Sequence, residues 1–264
     1  MLKGAMHIHS TYSDGEFTLA ELREIYMQSG CSFACVTDHA EAFDEKKLAT
    51  YRGECKSLSD SRFLFVAGLE YSCEQRMHIL GYGVTSRVTT QNSEAVIEHI
   101  EREEGISVIA HPKDAAFPWI ESFKTLPDGV EVWNSKYDGK YAPRIGTFDL
   151  AIRLQKRKPE VHAFYGQDLH WKKQYRELYV RLQCETLERG SILGNLKAGR
   201  FTGLKGSMEL PSDAVLSAAN RTNFARSQRL SSLCRRFAAS ANNSRKKLGL
   251  KLPDPLKAQL RKLF

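Results

Sequence analysis

The sequence predicts an α/β domain of barrel type, and three observations lead there. Strand-like and helix-like segments alternate through roughly the first 200 residues, the pattern of a mostly parallel sheet covered by helices. Side chains able to bind metal recur where the strand-like runs give way to Gly, Pro, Asp or Ser turns, and polar groups at successive strand ends are how barrels build sites. The length, 264 residues, suffices for a substantial core, and barrels of about 200 to 250 residues commonly form one domain.

The elements follow in order. Residues 6–9 (Met-His-Ile-His) form a short strand, and residues 18–29 an amphipathic helix capped by Thr18, with Leu19, Leu22, Ile25 and Tyr26 at helical spacing. Residues 32–37 form a strand that delivers Asp38 and His39, residues 44–60 a helix, and residues 63–67 a strand leading to Gly68, Leu69 and Glu70. Residues 78–82 are strand-like, 93–104 a charged amphipathic helix, and 107–110 a strand that ends in His111 and Pro112. Residues 129–134 form a strand with a polar exit, 147–156 a helix, and 161–165 a strand leading to Gly166, Gln167, Asp168, Leu169 and His170. Beyond these, residues 212–242 read as an Ala-, Ser- and Arg-rich helix, and residues 256–264 as a second basic helix after the breaking Pro253 and Pro255.

The charge divides along the same line. Residues 205–264 hold 13 Lys or Arg against 3 Asp or Glu, whereas residues 1–204 hold 26 against 28. The expected organisation is therefore a barrel domain over residues 1–204 and a basic, mainly helical extension over 205–264. The net charge of +8 belongs to the extension and says little about what the barrel binds. A solvated helix is the plainest role for the extension, with contact to nucleic acid or an anionic membrane face as alternatives.

The six cysteines form neither a CxxC pair nor a dense framework, which excludes a disulfide-stapled scaffold and leaves small apolar residues as their reading. No apolar run approaches the roughly 20 residues that cross a bilayer. The start lacks a charged segment followed by an apolar stretch and a cleavage site, so a cytoplasmic protein is expected.

His7, His9, Asp14, His39, Glu70, His78, His111, Asp168 and His170 make nine ligands, more than one ion can use. A lone histidine at a strand end is usually a satisfied polar group, but six of the eight histidines fall in this set. His99 and His162 lie outside it and read as surface or structural. In a strand, side chains alternate with period two, so His7 and His9 are expected on one face, gripping one ion. Imidazole and carboxylate ligands without thiolate suit divalent Zn, Mn or Fe. Several such ions lower the pKa of water and compensate phosphate charge, which points to phosphoester hydrolysis.

His7-Ile8-His9 with Ser13-Asp14-Gly15, Thr37-Asp38-His39, Gly68-Leu69-Glu70, His78, Ala110-His111-Pro112 and Gly166-Gln167-Asp168-Leu169-His170 resemble, in order, the motifs of the PHP (polymerase and histidinol phosphatase) family, over about residues 5–200. Asp14 resembles its nucleotide-phosphatase and carbamate-hydrolase-like branches, and the stretch 129–134 resembles the carbamate-hydrolase-like branch. The resemblance implies a distorted (β/α)7 TIM-like barrel with a trinuclear centre at the strand ends and a bridging hydroxide as nucleophile. It places one ion on His7, His9, Glu70 and Asp168, a second on Glu70, His78 and His111, and a third on Asp14, His39 and His170. Asp168, His170 and His39 would be the residues closest to the chemistry, with His39 or His170 assisting proton transfer.

A small phosphorylated molecule is the expected substrate. Lys113 and Arg144, just past strand ends, are the expected cations for its phosphate, ahead of Lys136 and Lys140. Asp38 either orients a ligand histidine or caps a helix, and Trp119, Trp133 and Trp171 either wall a pocket or pack on the rim. Three rivals remain at this stage: a nuclease using the basic extension, a hydrolase of a non-phosphate ester or carbamate, and a non-catalytic metal-binding scaffold.

Overall fold

The computed structural model describes residues 1–139, 141–230 and 233. The chain divides into two compact units, Met1–Ser217 and Ala218–Phe264. In the second, residues 218–230 are helical, so the helix expected over 212–242 begins at 218; residues 212–217 are turn and coil. The rest of that expected helix beyond 230, Leu233 apart, lies outside the described residues, as do the expected helix over 256–264, Lys140 and Cys234.

The first unit is built on one ten-stranded sheet. Its strands are β1 (Leu2–Ile8), β2 (Phe33–His39), β3 (Leu64–Ser72), β4 (His78–Tyr82), β5 (Ile106–Ala110), β6 (Gly129–Asn134), β7 (His162–Gly166), β8 (Tyr179–Leu182), β9 (Phe201–Lys205) and β10 (Met208–Pro211). The lateral order is β10-β9-β8-β1-β2-β3-β4-β5-β6-β7. The sheet nearly closes on itself, because Ile8 bridges Leu169 and the amides of Gln167 and Asp168 donate to the carbonyls of Met6 and His7 at 3.0 and 2.8 Å.

Helices α1 (Leu19–Gln28), α2 (Glu45–Ser57) and α3 (Ser93–Arg102) start where the sequence supplies a cap. Thr18 and Glu21 form a capping box, Asp44 accepts from the Lys47 amide, and Asn92 accepts from the Ala95 amide. Three more helices, α4 (Phe117–Glu121), α5 (Ile145–Gln155) and α6 (Arg189–Lys197), complete the described set of this unit.

Three features depart from the expected pattern. First, β4 runs antiparallel to both β3 and β5, and only a short 3-10 turn links β3 to β4. A parallel crossover needs a dozen or more residues, which residues 73–77 cannot supply, so regular β/α alternation fails here. Second, β8, β9 and β10 form an antiparallel extension off β1 that residue spacing did not announce. That extension turns back to the far edge of the sheet: Ala163 of β7 donates to the Ser212 carbonyl at 2.7 Å, and the Tyr165 hydroxyl to the Pro211 carbonyl at 2.7 Å. Third, the pairing of β1 with β2 slips between Ala5 and Ile8, and His7 takes a left-handed φ of 56°.

No helix among the described residues is long and apolar enough to cross a membrane. Cys31, Cys35, Cys55, Cys73 and Cys184 are buried and unpaired, and burial pushes the Cys31 and Cys73 thiols up to about 12.

Candidate metal centre

The carboxyl ends of β1, β2, β3, β5 and β7 meet at one end of the sheet, and the reversed β4 brings its first residue to the same place. His78 is the partner of Ser72 on one side and Ala110 on the other, and His39 pairs with Glu70 across β2 and β3. All nine candidate ligands therefore arrive together.

Glu70 sits at the hub, fully buried. One oxygen, Oε2, lies 3.0 Å from His9 Nε2, 3.5 Å from His7 Nε2 and 3.4 Å from His39 Nδ1. The other, Oε1, lies 2.8 Å from His78 Nδ1 and 3.3 Å from His111 Nε2. Asp168 Oδ1 is 3.9 Å from the Nε2 atoms of both His7 and His9, and 3.1 Å from His170 Nδ1. Asp14, more exposed, reaches His9, His39 and His170 at 3.7, 3.6 and 3.4 Å.

Three overlapping groups of these side chains bring one ligand atom each within 4.8 Å of one another: His9, Asp14, His39 and His170; His7, His9 and Asp168; and His7, Glu70 and His111. The grouping differs in detail from the one implied by the family resemblance, since His78 lies against Glu70 and joins none of the three.

His7 Nε2 and both ring nitrogens of His9 are buried with no hydrogen-bond partner. The approach of His9 Nε2 to Glu70 is close but lacks the alignment a hydrogen bond needs. Buried polar atoms are almost always satisfied, so nitrogens left open toward carboxylates fit a cation-binding role. The donor set, imidazole and carboxylate, fits divalent Zn, Mn or Fe.

Electrostatics point the same way. Burial opposes charge on His7, yet Glu131, Asp168 and Glu70 outweigh it and hold its pKa well above the ordinary imidazole value. Burial likewise opposes ionisation of Glu70 and Asp168, but His7 and the other imidazoles keep both carboxyls well below the usual carboxylate range. His9, dominated by burial, is lowered. Concentrated negative charge thus draws positive charge into a buried site.

The backbone carries strain at the same residues. His7, His111 and Asp168 adopt φ of 56°, 31° and 52°, a region that non-glycine residues avoid. At His7 the strain coincides with the slipped register, and a bulge re-aims side chains. The two imidazoles of His7 and His9 meet, with ring centroids 5.4 Å apart, but through this bulge rather than through plain strand alternation.

Sequence reasoning missed the role of Glu131. Its Oε1 accepts from His7 Nδ1 at 2.8 Å, and its Oε2 accepts from the His111 amide at 2.9 Å and from Asn134 Nδ2 at 2.8 Å. A carboxylate only accepts, so Nδ1 of His7 holds the proton and Nε2 faces the cluster. Gly166 makes room for this arrangement: a Cβ there would lie 1.7 Å from Glu131 Oε1. The detectable signal was an acidic residue inside an otherwise apolar strand.

Asp38 neither orients a histidine nor caps a helix. Fully buried, it accepts from the amides of Ser10 and Ser13 at 2.8 and 3.1 Å and from their hydroxyls at 2.7 and 2.6 Å, clamping the loop that carries Asp14. Arg144 is engaged by Asp138, by Asp114 at 3.0 Å and by the Pro112 carbonyl at 2.7 Å. Lys113 is exposed and, with Arg76, Tyr137 and Arg144, lines a cavity of about 520 Å³ that opens beside His78 and His111. Lys136 Nζ instead enters the cluster, 3.0 Å from Asp168 Oδ1.

Trp133 is fully buried and donates to the Gly139 carbonyl, Trp119 packs edge-on against Phe123, and Trp171 is partly exposed beside His170. His99 and His162 serve structure, with ring nitrogens 3.2 Å from the carbonyls of Ser86 and Lys197.

No family profile matches the chain. Among solved structures it is similar to a two-domain protein of Bacteroides vulgatus described as containing a predicted PHP-like metal-dependent phosphoesterase, with a TM-score of 0.59 and 14% identity over 79% of this chain. A candidate metal-dependent phosphoesterase of Bifidobacterium adolescentis matches at a TM-score of 0.49 and 12% identity, over 74% of this chain and 96% of that one. In sequence, 40 residues are 40% identical to the DNA polymerase/3'-5' exonuclease PolX of Bacillus subtilis, covering 15% of this chain. The chain spans 66% of the Bacteroides protein's length and the match only 7% of the polymerase's. Over the matched residues the chain shares the fold of the Bacteroides protein.

Proposed function

We propose that this protein is a PHP-type metal-dependent phosphoesterase that releases phosphate from a small phosphorylated substrate. The observation that carries the reading is the set of buried, unpartnered imidazole nitrogens of His7 and His9 facing the carboxylates of Glu70 and Asp168. Nine ligands would accommodate three divalent ions of Zn, Mn or Fe, which the family resemblance would place on His7, His9, Glu70 and Asp168, on Glu70, His78 and His111, and on Asp14, His39 and His170. When bound, such ions lower the pKa of water and offset phosphate charge, the two requirements of phosphoester hydrolysis.

The chain's own residues do the rest. Glu70 and Asp168, both buried, hold their charge at fixed positions, so no reorganisation is needed when charge develops on a substrate. Glu131 fixes the ring of His7. Asp38 holds the loop on which Asp14 closes the third group. His39, the most exposed of the three histidines beside Asp14, would assist proton transfer only where it is not engaged as a ligand, and His170 is the alternative on the same condition.

The test is an assay of purified protein with Mn, Zn or Fe against phosphomonoesters, nucleotides, short oligonucleotides, and carboxyl and carbamate esters, with and without chelator. Chelator-sensitive phosphate release is the expected result. Metal-loaded protein that leaves every phosphate ester intact would overturn the reading in favour of ester or carbamate hydrolysis, or of a scaffold. The PolX match favours one second reading, a nuclease. Activity confined to oligonucleotides and falling steeply with salt would select it.

A further inference from the structure

We infer that Lys136 is the cation that grips the phosphate of the substrate, an inference that rests on the phosphoesterase reading. Lys136 follows β6 by two residues, and its direction is fixed by the backbone: the amides of Lys136 and Tyr137 both donate to Asn134 Oδ1, at 3.0 and 3.1 Å. Asn134 in turn is buried and anchored to Glu131 and to Asp168 Oδ2. The strand end therefore aims the lysine into the cluster.

There its ammonium donates to Asp168 Oδ1 at 3.0 Å and stands 3.3 Å from His170 Nδ1, with the side chain only 19% exposed. An ammonium so placed is an electrostatic liability for holding cations, since it competes for a carboxylate that the ions need. A mostly buried cation must also find an anion or carry a large desolvation cost. Once Asp168 shares its charge with an ion, the anion that satisfies Lys136 is one brought in from outside, beside the same ligands. A phosphate dianion has that charge, and lysine binds phosphate as a compact point charge.

The neighbouring cations are less suited. Arg144 already spends its guanidinium on Asp138, Asp114 and Pro112, and Lys113 lies exposed on the rim of the cavity. Tyr137 completes the arrangement, its ring 4.5 Å from that of His111 and 5.1 Å from the Lys136 ammonium, walling the side on which the rest of a substrate would lie.

The experiment compares the wild-type full chain, Lys136→Met and Lys136→Arg, each loaded with Mn. Metal content, calorimetric binding of inorganic phosphate, and KM and kcat for a generic aryl phosphate are measured. Loss of one charge-assisted hydrogen bond predicts phosphate binding about ten- to a hundredfold weaker in Lys136→Met, with metal content unchanged and partial recovery in Lys136→Arg. If the Met variant fails to fold, Lys136→Gln carries the same comparison. Unchanged phosphate affinity in the neutral variants overturns the inference, and so does tighter metal binding with phosphate affinity unchanged, which would make Lys136 a placeholder for an ion. Failure of wild-type, metal-loaded protein to bind phosphate also overturns it. Phosphate binding that depends on Lys136 without hydrolysis of any phosphate ester would leave the anion site standing and remove the phosphoesterase reading alone.

Discussion

Asp128 enters β6 and Glu131 lies three residues further along it, and both carboxylates are buried, yet the groups that surround them differ in kind. Asp128, at the amino end of the strand, accepts from the Ser107 amide and hydroxyl at 3.0 and 3.1 Å and pairs with Lys158 at 2.9 Å. Its own amide donates to Ser107 in return. That network closes on itself. Glu131, toward the carboxyl end, is equally well bonded, but one partner is an imidazole whose other nitrogen has no partner. The two ends of one strand thus separate polar groups that hold the sheet together from polar groups that leave valences open. The difference in satisfaction, rather than burial or charge, marks the functional end.

Breaking the open end should have the largest effect. Replacement of Asp168 or His9 by Ala is expected to lower bound metal and cut turnover by more than the roughly 10- to 100-fold typical of an outer-shell partner, while circular dichroism stays that of the wild type. Metal analysis and steady-state rates on the same samples check this, and wild-type activity in either variant would sink the ligand assignment. Glu131→Gln keeps shape and removes the carboxylate charge that His7 Nδ1 donates to, so metal affinity should fall about 10- to 100-fold. Gly166→Ala should mimic part of that loss, because its Cβ would displace Glu131 Oε1.

The closed end makes the opposite prediction. Asp128→Ala removes the acceptor of the Ser107 amide and leaves the Lys158 ammonium with only the Leu126 carbonyl, which should cost about 1–3 kcal/mol in denaturant unfolding. Metal stoichiometry should not change, and a loss of metal in this variant would dissolve the distinction between the two ends.

The smallest effect is expected at another closed network. Glu103 accepts from the hydroxyls and amides of Thr85 and Ser86, and these bonds, the Thr85 hydroxyl first among them, outweigh partial burial and lower its pKa to about 2 from an ordinary 4.5. A carboxyl depressed on folding stabilises above its unfolded pKa and loses that contribution as pH falls from about 4.5 toward 2. Glu103→Gln should flatten stability across that window by less than about 1 kcal/mol. Acid titrations of unfolding for the two proteins test the sign as well as the size.

Much of the site was legible along the chain because its signals are local. A strand end, the turn after it and the ligand it delivers lie within a few residues, as at Thr37, Asp38 and His39 or at Ala110, His111 and Pro112. The starts of α1, α2 and α3 were equally local, each fixed by a capping side chain three residues from the amide it receives. Strand direction was not, since an apolar run reads the same either way, and only the short connection before His78 turns β4 around. The extension β8 to β10 escaped notice because its strands are short and gain their stability from β1 and from the seam beside β7.

The sequence by itself therefore determined which side chains can bind ions, their order, and the strand ends that carry them, because period-two and helical patterns act over a few residues. The tertiary structure decided what those side chains do. It bends β1 so that His7 and His9 converge, holds the His7 proton on Nδ1 by a carboxylate acceptor 124 positions away, and turns Lys136 rather than Arg144 into the cluster. These outcomes depend on which distant groups share one low-dielectric space, and the energy of a buried charge is set by those neighbours rather than by the chain on either side of it.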